Sequence, residues 1–334
     1  MSGRAHPRPG RGRPRPAPGV AAVNRPGPGG PLSVGRPGGD GRVPPDRPGG
    51  DGRAPGYRPG RTLTIAAEWR RQAGRRRTRL LFAVLVALPL VMLAAFQIGG
   101  DDEGQAPSGG RFSSMVDLAT TGGLNFALFT VFVSSGFLLV VVVAVVFGDP
   151  VASEAAGGSL RYLLAAPVPR GRLLAAKAVV AGLTSLLAML TLTGTALLAG
   201  TLRYGWHPLR STVAAELSPG EGLVRLLLVL GYLAVSLLAV AAVAFLLSVS
   251  TDAPLGAVGG AVLLFIVSSI LDEITALGGV RTFLPTHFSD AWLGLLSTPL
   301  DLDGVVRGTV SALGYGAGLF ALAWWRFLRR DITS

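Results

Sequence analysis

Cysteine is absent from the 334 residues. That excludes a disulfide framework, a thiolate zinc site and a cysteine nucleophile. Histidine occurs three times, at His6, His207 and His287, too far apart for HExxH or a comparable ligand cluster. Lysine occurs once, at Lys177, and Ala178 follows it, so a GxxxxGK[ST] phosphate loop cannot be built. The GxSxG nucleophile elbow is missing too, and Ser159, after Gly157-Gly158, has no histidine near it. Charged residues are scarce at 15%, against 49% hydrophobic. A soluble chain carries about 25% charge, so the balance points to a membrane protein. No catalytic residue, metal site or cofactor is expected in this chain.

The positive excess is confined to one end. Residues 1–79 hold 18 arginines and four acids, a net +14, whereas the remainder holds 13 basic and 15 acidic residues. Residues 1–60 contain 14 prolines, 16 glycines and two copies of RPGGDGR, starting at Arg36 and Arg47. Such a segment buries too little apolar surface to offset its ordering entropy, and it reads as a disordered tail. Residues 61–79 place Leu63, Ile65 and Trp69 ahead of a dense arginine cluster. They read as an interfacial helix on the cytoplasmic leaflet, with anionic lipids as its partner and no role in binding nucleic acid.

From residue 80 the apolar runs are long. Six of them, approximately 80–98, 124–147, 177–200, 223–250, 254–271 and 304–325, suffice to cross a ~30 Å hydrocarbon core as helices. Period-two alternation is missing, which excludes barrel strands. The expected fold is all-α: a six-helix domain over 80–334 with both termini cytoplasmic. Orientation rests on basic residues. Segments 61–79, 148–177 and 326–334 carry 7, 4 and 3 of them, against four in the segments between the other span ends. The expected location is the inner (cytoplasmic) membrane, spanned several times.

Charge inside the spans is limited to Arg225 and Arg307, each expected to reach the nearer interface. No coupling ion pair sits at mid-depth, so any energy source must lie on another chain. Small residues at Gly256/Gly260 and Gly314/Gly318 are expected to let helices approach closely. Thr184, Thr191 and Thr195 in span three, Thr130 and Ser134 in span two and Ser236 in span four are candidates for a weakly polar translocation path. The competing reading is that each hydroxyl bonds its own helix backbone. Between spans five and six, Ser289 is expected to cap a short amphipathic or re-entrant helix that sets Trp292 at the interface.

The hydrophilic stretch 148–177 is the richest in signals. Ser159 can cap a short helix that puts Leu160, Leu163 and Leu164 on one side and Arg161 on the flank. Pro167 and Pro169 end it, and Pro169 can open the helix that follows. The stretch resembles the cytoplasmic segment of bacterial ABC transporter permeases of the type-2 exporter family, E…GTLxxLLxxPVSRxxxxxxK. Glu154, Gly158, Leu160, Leu163, Leu164, Pro167, Val168, Arg170 and Lys177 match it, with Ser159 in place of threonine and Pro169 in place of serine. The lead-in from Glu68 resembles the elbow helix of such permeases, and Trp325-Arg-Phe-Leu-Arg-Arg-Asp resembles their terminus. The resemblance implies a permease that pairs with a second copy or a paralogue. It also implies that Glu154, Ser159, Leu160, Arg161, Leu163, Leu164, Pro167 and Arg170 couple it, through the 153–177 loop, to a separate ATP-binding subunit carrying ATP and Mg. The other reading is a non-transporting scaffold or anchor with a basic tail. A scaffold has no need of a rigid helix in that loop.

Overall fold

Ten helices account for most of the described chain. The computed structural model describes residues 65–98, 111–158, 170–210 and 216–329. The tail 1–60 and the proposed coupling helix, Leu160 to Ala166, therefore lie outside the described residues. We number the helices α1 (Ile65–Ala73), α2 (Arg76–Ile98), α3 (Arg111–Ala119), α4 (Gly123–Ser135), α5 (Leu138–Ala156), α6 (Arg170–Tyr204), α7 (Pro219–Ser236), α8 (Leu238–Ser250), α9 (Pro254–Glu273) and α10 (Asp303–Arg329). Six helical stretches are long and apolar enough to cross a membrane: α2, α5, α6, α7 with α8, α9 and α10. The protein is thus a multi-pass, all-α membrane protein. Among the described residues the one strand-like pairing is the antiparallel bridge of Leu209 with Leu217.

Local signals explain the helix starts. Ser218 caps α7 by accepting the amide of Glu221 at 3.3 Å, and Pro219 occupies the first turn, where a missing N–H costs nothing. Pro254 opens α9 in the same way. At 35 residues α6 is roughly 52 Å long and outruns the hydrocarbon core. Its Arg170 end must project beyond the bilayer.

Span two differs from its expected form. The run 124–147 is divided at Gly136–Phe137 into α4 and α5, and Phe137 gives the new helix no side-chain cap. In turn α5 passes through Pro150 to Ala156, so the stretch from Gly148, expected as a loop, is helical for two more turns. One residue and two residues beyond Pro150, the amides of Val151 and Ala152 donate to Ser248 Oγ on α8 at 3.2 and 3.1 Å. Span four bends at Leu237, between α7 and α8.

The interior is formed by α4, α5, α6 and α8, with α2, α9 and α10 outside them. Only 11%, 17% and 17% of the apolar stretches of those three are buried, so their outward faces are left for lipid or another chain. Phe147, Phe245 and Phe320 form a ring cluster with centroids 5.5–6.2 Å apart, which joins α5, α8 and α10. The crossing of α4 with α6 depends on glycine. A Cβ on Gly123 would lie 2.2 Å from Thr201 Oγ1, and one on Gly200 would lie 2.9 Å from Phe126. Of the pairs expected from sequence, Gly260 does meet Leu247, but nothing lies within 4 Å of where a side chain would start on Gly314 or Gly318.

The segment between α9 and α10 also departs from expectation. It folds as two 3₁₀ stretches, Thr275–Phe283 and Ala291–Leu296, the second without a side-chain cap. Trp292 is fully buried, its ring tilted at 59° to that of Phe132 with centroids 6.0 Å apart, so it is packed into the bundle and not presented to lipid or solvent. Arg225, expected to reach the nearer interface, is buried against the protein as well. Its guanidinium donates to the carbonyls of Leu295 at 2.7 Å and Ser297 at 3.3 Å, and to Glu221 at 3.1 Å. The charge is spent on carbonyls that the 3₁₀ turns leave open. Arg307 pairs with Asp303 one turn away and is exposed, as expected.

Candidate functional site

Among the described residues, the densest cluster of buried charge lies where α1 meets α5 and α6. Gly74 ends α1 by returning its amide to Arg70, and Thr78 Oγ1 donates to Gln72 across the turn into α2. The turn lays α1 against α6, with Glu68 facing inward from a stretch otherwise dense in arginine.

Lys177 is at the centre, with its side chain 1% exposed. It donates to Glu154 at 2.6 Å and to Glu68 at 3.2 Å. Arg71 closes the group from the other side, 2.7 Å from Glu154 and 3.9 Å from Glu68. Two cations thus balance two anions. Balance is required here, because a buried charge without its partner costs several kcal/mol. A second group lies alongside, about a turn and a half earlier on α5. Asp149 accepts from Arg75 at 2.5 Å and from Arg77 at 2.7 Å, and Arg75 also reaches Ser153 at 3.3 Å. Arg71 and Glu154 from the first group, and Arg75, Arg77 and Asp149 from the second, line one open pocket of about 380 Å³ with Arg76.

The arrangement is mechanical in character. Glu154 lies in the last turn of α5 and Lys177 in the second turn of α6, and the whole hydrophilic loop hangs between them. Their contact therefore joins the two ends of that loop to each other and to α1. Of the residues assigned to coupling from sequence, Glu154 is in this cluster, and Arg170 is the exposed first residue of α6. Ser159, Leu160, Arg161, Leu163, Leu164 and Pro167 fall outside the described residues.

The candidate path residues are not brought to one cavity. Thr130, Thr184 and Thr191 each donate to the carbonyl four residues back, at 2.7–2.9 Å. Thr184 also borders a small groove with Trp69 and Phe82. Ser134 is buried and Thr195 half-buried. Ser236 lines a separate cavity beside the breaks in spans two and four.

Sequence reasoning singled out Lys177 and Glu154 but not their contact; it placed Glu68 at the head of the elbow-like helix without giving it a partner, and it gave Asp149 no role. Both carried a signal. Glu68 is the one acid among seven basic residues in 61–79, and Asp149 ends an apolar run. Acids in such places call for buried cations. Compared with known proteins, the chain matches the family model described as "ABC-2 family transporter protein" over residues 65–268, which is 204 of its 334 residues. No curated protein matches it.

Proposed function

Because the chain belongs to the ABC-2 family of transporter proteins, and is a membrane permease component on that ground, we propose that it is the membrane half of an exporter driven by a separate ATPase. The hydrophilic loop after α5 receives the ATPase, which carries ATP and Mg, and the Glu154–Lys177 contact passes the force on. That contact is the observation supporting the reading. A loop free at its base would absorb a displacement, whereas one closed at 2.6 Å must move α5, α6 and α1 together. The permease works as a pair, with a second copy or a paralogue, in the cytoplasmic membrane. Both termini face the cytoplasm, and the exposed arginines of α1 lie near anionic headgroups.

Coupling is tested by Leu163→Asp in the full chain, co-expressed with a candidate ATP-binding subunit. A carboxylate in a docking surface is expected to cost several kcal/mol of association. Co-purification and permease-stimulated ATP turnover should fall sharply, with membrane insertion unchanged. Unchanged assembly and unchanged transport would remove the loop from the mechanism. Orientation is checked with single cysteines in this cysteine-free chain. A cysteine at Thr298 should react with an impermeant maleimide on intact cells, and one at Ala156 should not; the reverse pattern would invert the topology.

A further inference from the structure

The arginine-lined pocket at the α1–α2 turn is rich in donors that the protein leaves unused. Arg75 and Arg77 bind the two oxygens of Asp149 through Nη1 alone, and Arg71 meets Glu154 in the same way. The Nε and Nη2 groups of all three have no partner among the described residues. Arg76 is exposed beside them, and none of its five N–H donors has a partner there. Ser153 accepts from Arg75, and its own hydroxyl hydrogen is uncommitted. The acceptors, by contrast, are occupied. Both oxygens of Asp149 are taken, and Glu154 is held by Lys177 and Arg71.

Charge points the same way. The two ion-paired groups and Arg76 carry five cations against three carboxylates, an excess of two around a space of about 380 Å³. A ligand for this pocket must bring negative charge and many acceptors. A phosphate monoester does so, with three terminal oxygens and a charge of about −1.5 to −2 at neutral pH. An ammonium head would meet acceptors already taken and a like charge. Position tells where the phosphate comes from. Arg76, Leu80 and Val84 follow at i, i+4 and i+8 on one face of α2. Leu80 is 67% exposed and Val84 51%, so the free guanidinium heads an apolar stripe that starts about 6 Å further along the helix. An ionic head above hydrocarbon is the order of a lipid at a leaflet surface.

We propose that this pocket holds one lipid phosphomonoester, its phosphate between Arg75, Arg76 and Arg77 and one acyl chain along Leu80 and Val84. The Ser153 hydroxyl donates to the same phosphate. A phosphodiester headgroup carries one charge and two free oxygens, so it engages fewer of the waiting donors. The site deepens the reading that α1 lies near anionic headgroups, and it rests on that reading. Ser153 and Glu154 are neighbours on α5, so the lipid is fastened to the end of α5 that carries the Glu154–Lys177 contact.

The test uses the full chain in dodecylmaltoside micelles at about 0.15 M salt, where diffuse attraction is screened beyond about 8 Å. A phosphatidic acid with a diazirine near the head end of one acyl chain is photolysed, and its adducts are mapped by mass spectrometry. They should saturate and fall on residues 80–88 of α2. Unlabelled phosphatidic acid should compete about tenfold better than phosphatidylglycerol, the effect of one further charge-assisted contact. Glycerol 3-phosphate, with the same phosphate and no chain, should need more than about a hundredfold excess. Arg76→Gln should weaken phosphatidic acid about tenfold with the lipid-free melting temperature unchanged, since Arg76 has no partner among the described residues to lose. Arg70→Gln, exposed on α1 and outside the pocket, should change the affinity by less than about twofold. Equal competition by the two lipids, or equal losses in the two variants, would identify diffuse attraction; the site would fall and the headgroup reading would stand. Glycerol 3-phosphate competing on a par with the lipid would overturn the lipid source. No binding of either lipid would overturn the site and the headgroup reading together.

Discussion

At the end of the bundle where α1 meets α5 and α6, closure is ionic: Glu68, Glu154 and Lys177 are buried against one another, and the half-exposed Arg71 covers them from the solvent side. At the other end of α6 and α7, closure depends mainly on main-chain carbonyls and apolar bulk, with the half-exposed Glu221 as the one carboxylate on Arg225. Trp292 and Leu296 plug the interior, and Arg225 spans the gap by donating to main-chain carbonyls. The difference lies in how each end responds to a perturbation. A carboxylate that loses its cation in the interior has no substitute, so the ionic end is all-or-none. Hydroxyl–carbonyl bonds are worth about 1 kcal/mol net each and can be traded for water, so the other end yields by steps. A transporter needs one end that transmits and one that opens, and these two chemistries suit those tasks.

The contrast predicts unequal losses. Lys177→Met should give the largest, about 3–5 kcal/mol, because Glu154 and Glu68 would face each other across a buried gap with only Arg71 left. Thermal unfolding of the detergent-solubilised chain measures it. Adding Glu154→Gln should recover part of the loss, as removing both members of a buried pair costs less than removing one. A single substitution without effect would mean that the cluster is hydrated and the all-or-none description wrong.

Arg225→Met should cost less, about 2–3 kcal/mol, the worth of its charge-assisted bonds. Its loss should be local. Limited proteolysis should speed up within 275–302 while the α1–α2 turn keeps its native cleavage rate. Equal acceleration at both ends would show that the two closures are not independent.

The six spans were legible because length and hydropathy suffice: no arrangement other than a helix satisfies twenty consecutive apolar residues in lipid. The division of span two was not. Ser134-Ser135-Gly136 is a weak signal beside an unbroken apolar run, and the close packing of α4 on α6 through Gly123 and Gly200 is a long-range contact that no local pattern announces. Trp292 misled for a similar reason. Tryptophan prefers interfaces on average, but Phe132, 160 residues earlier in the chain, offers it a buried ring. Arg225 was legible as a cation near a span end, and its destination was not, since the carbonyls it serves belong to turns that no sequence pattern announces. Lys177 and Glu154 were legible as motif positions 23 residues apart. Their contact needed the extra helical turns of α5 beyond Gly148, which Pro150 argued against and the Ser248 hydroxyl makes tolerable.

The length of α6 has a kinematic consequence. A rigid rod of roughly 52 Å, pivoting near its middle, moves each end by about 4–5 Å for a tilt of about 10°. One end carries Lys177 and hence the base of the hydrophilic loop. The other carries Thr201 and Tyr204, and just beyond them the Gly205 carbonyl accepts the amide of Gly123 at the start of α4. A displacement at the loop would therefore appear across the bilayer as a sideways stroke of nearly equal size, delivered to the first half of the divided span. The helix is geared close to one to one, trading neither force for travel nor travel for force.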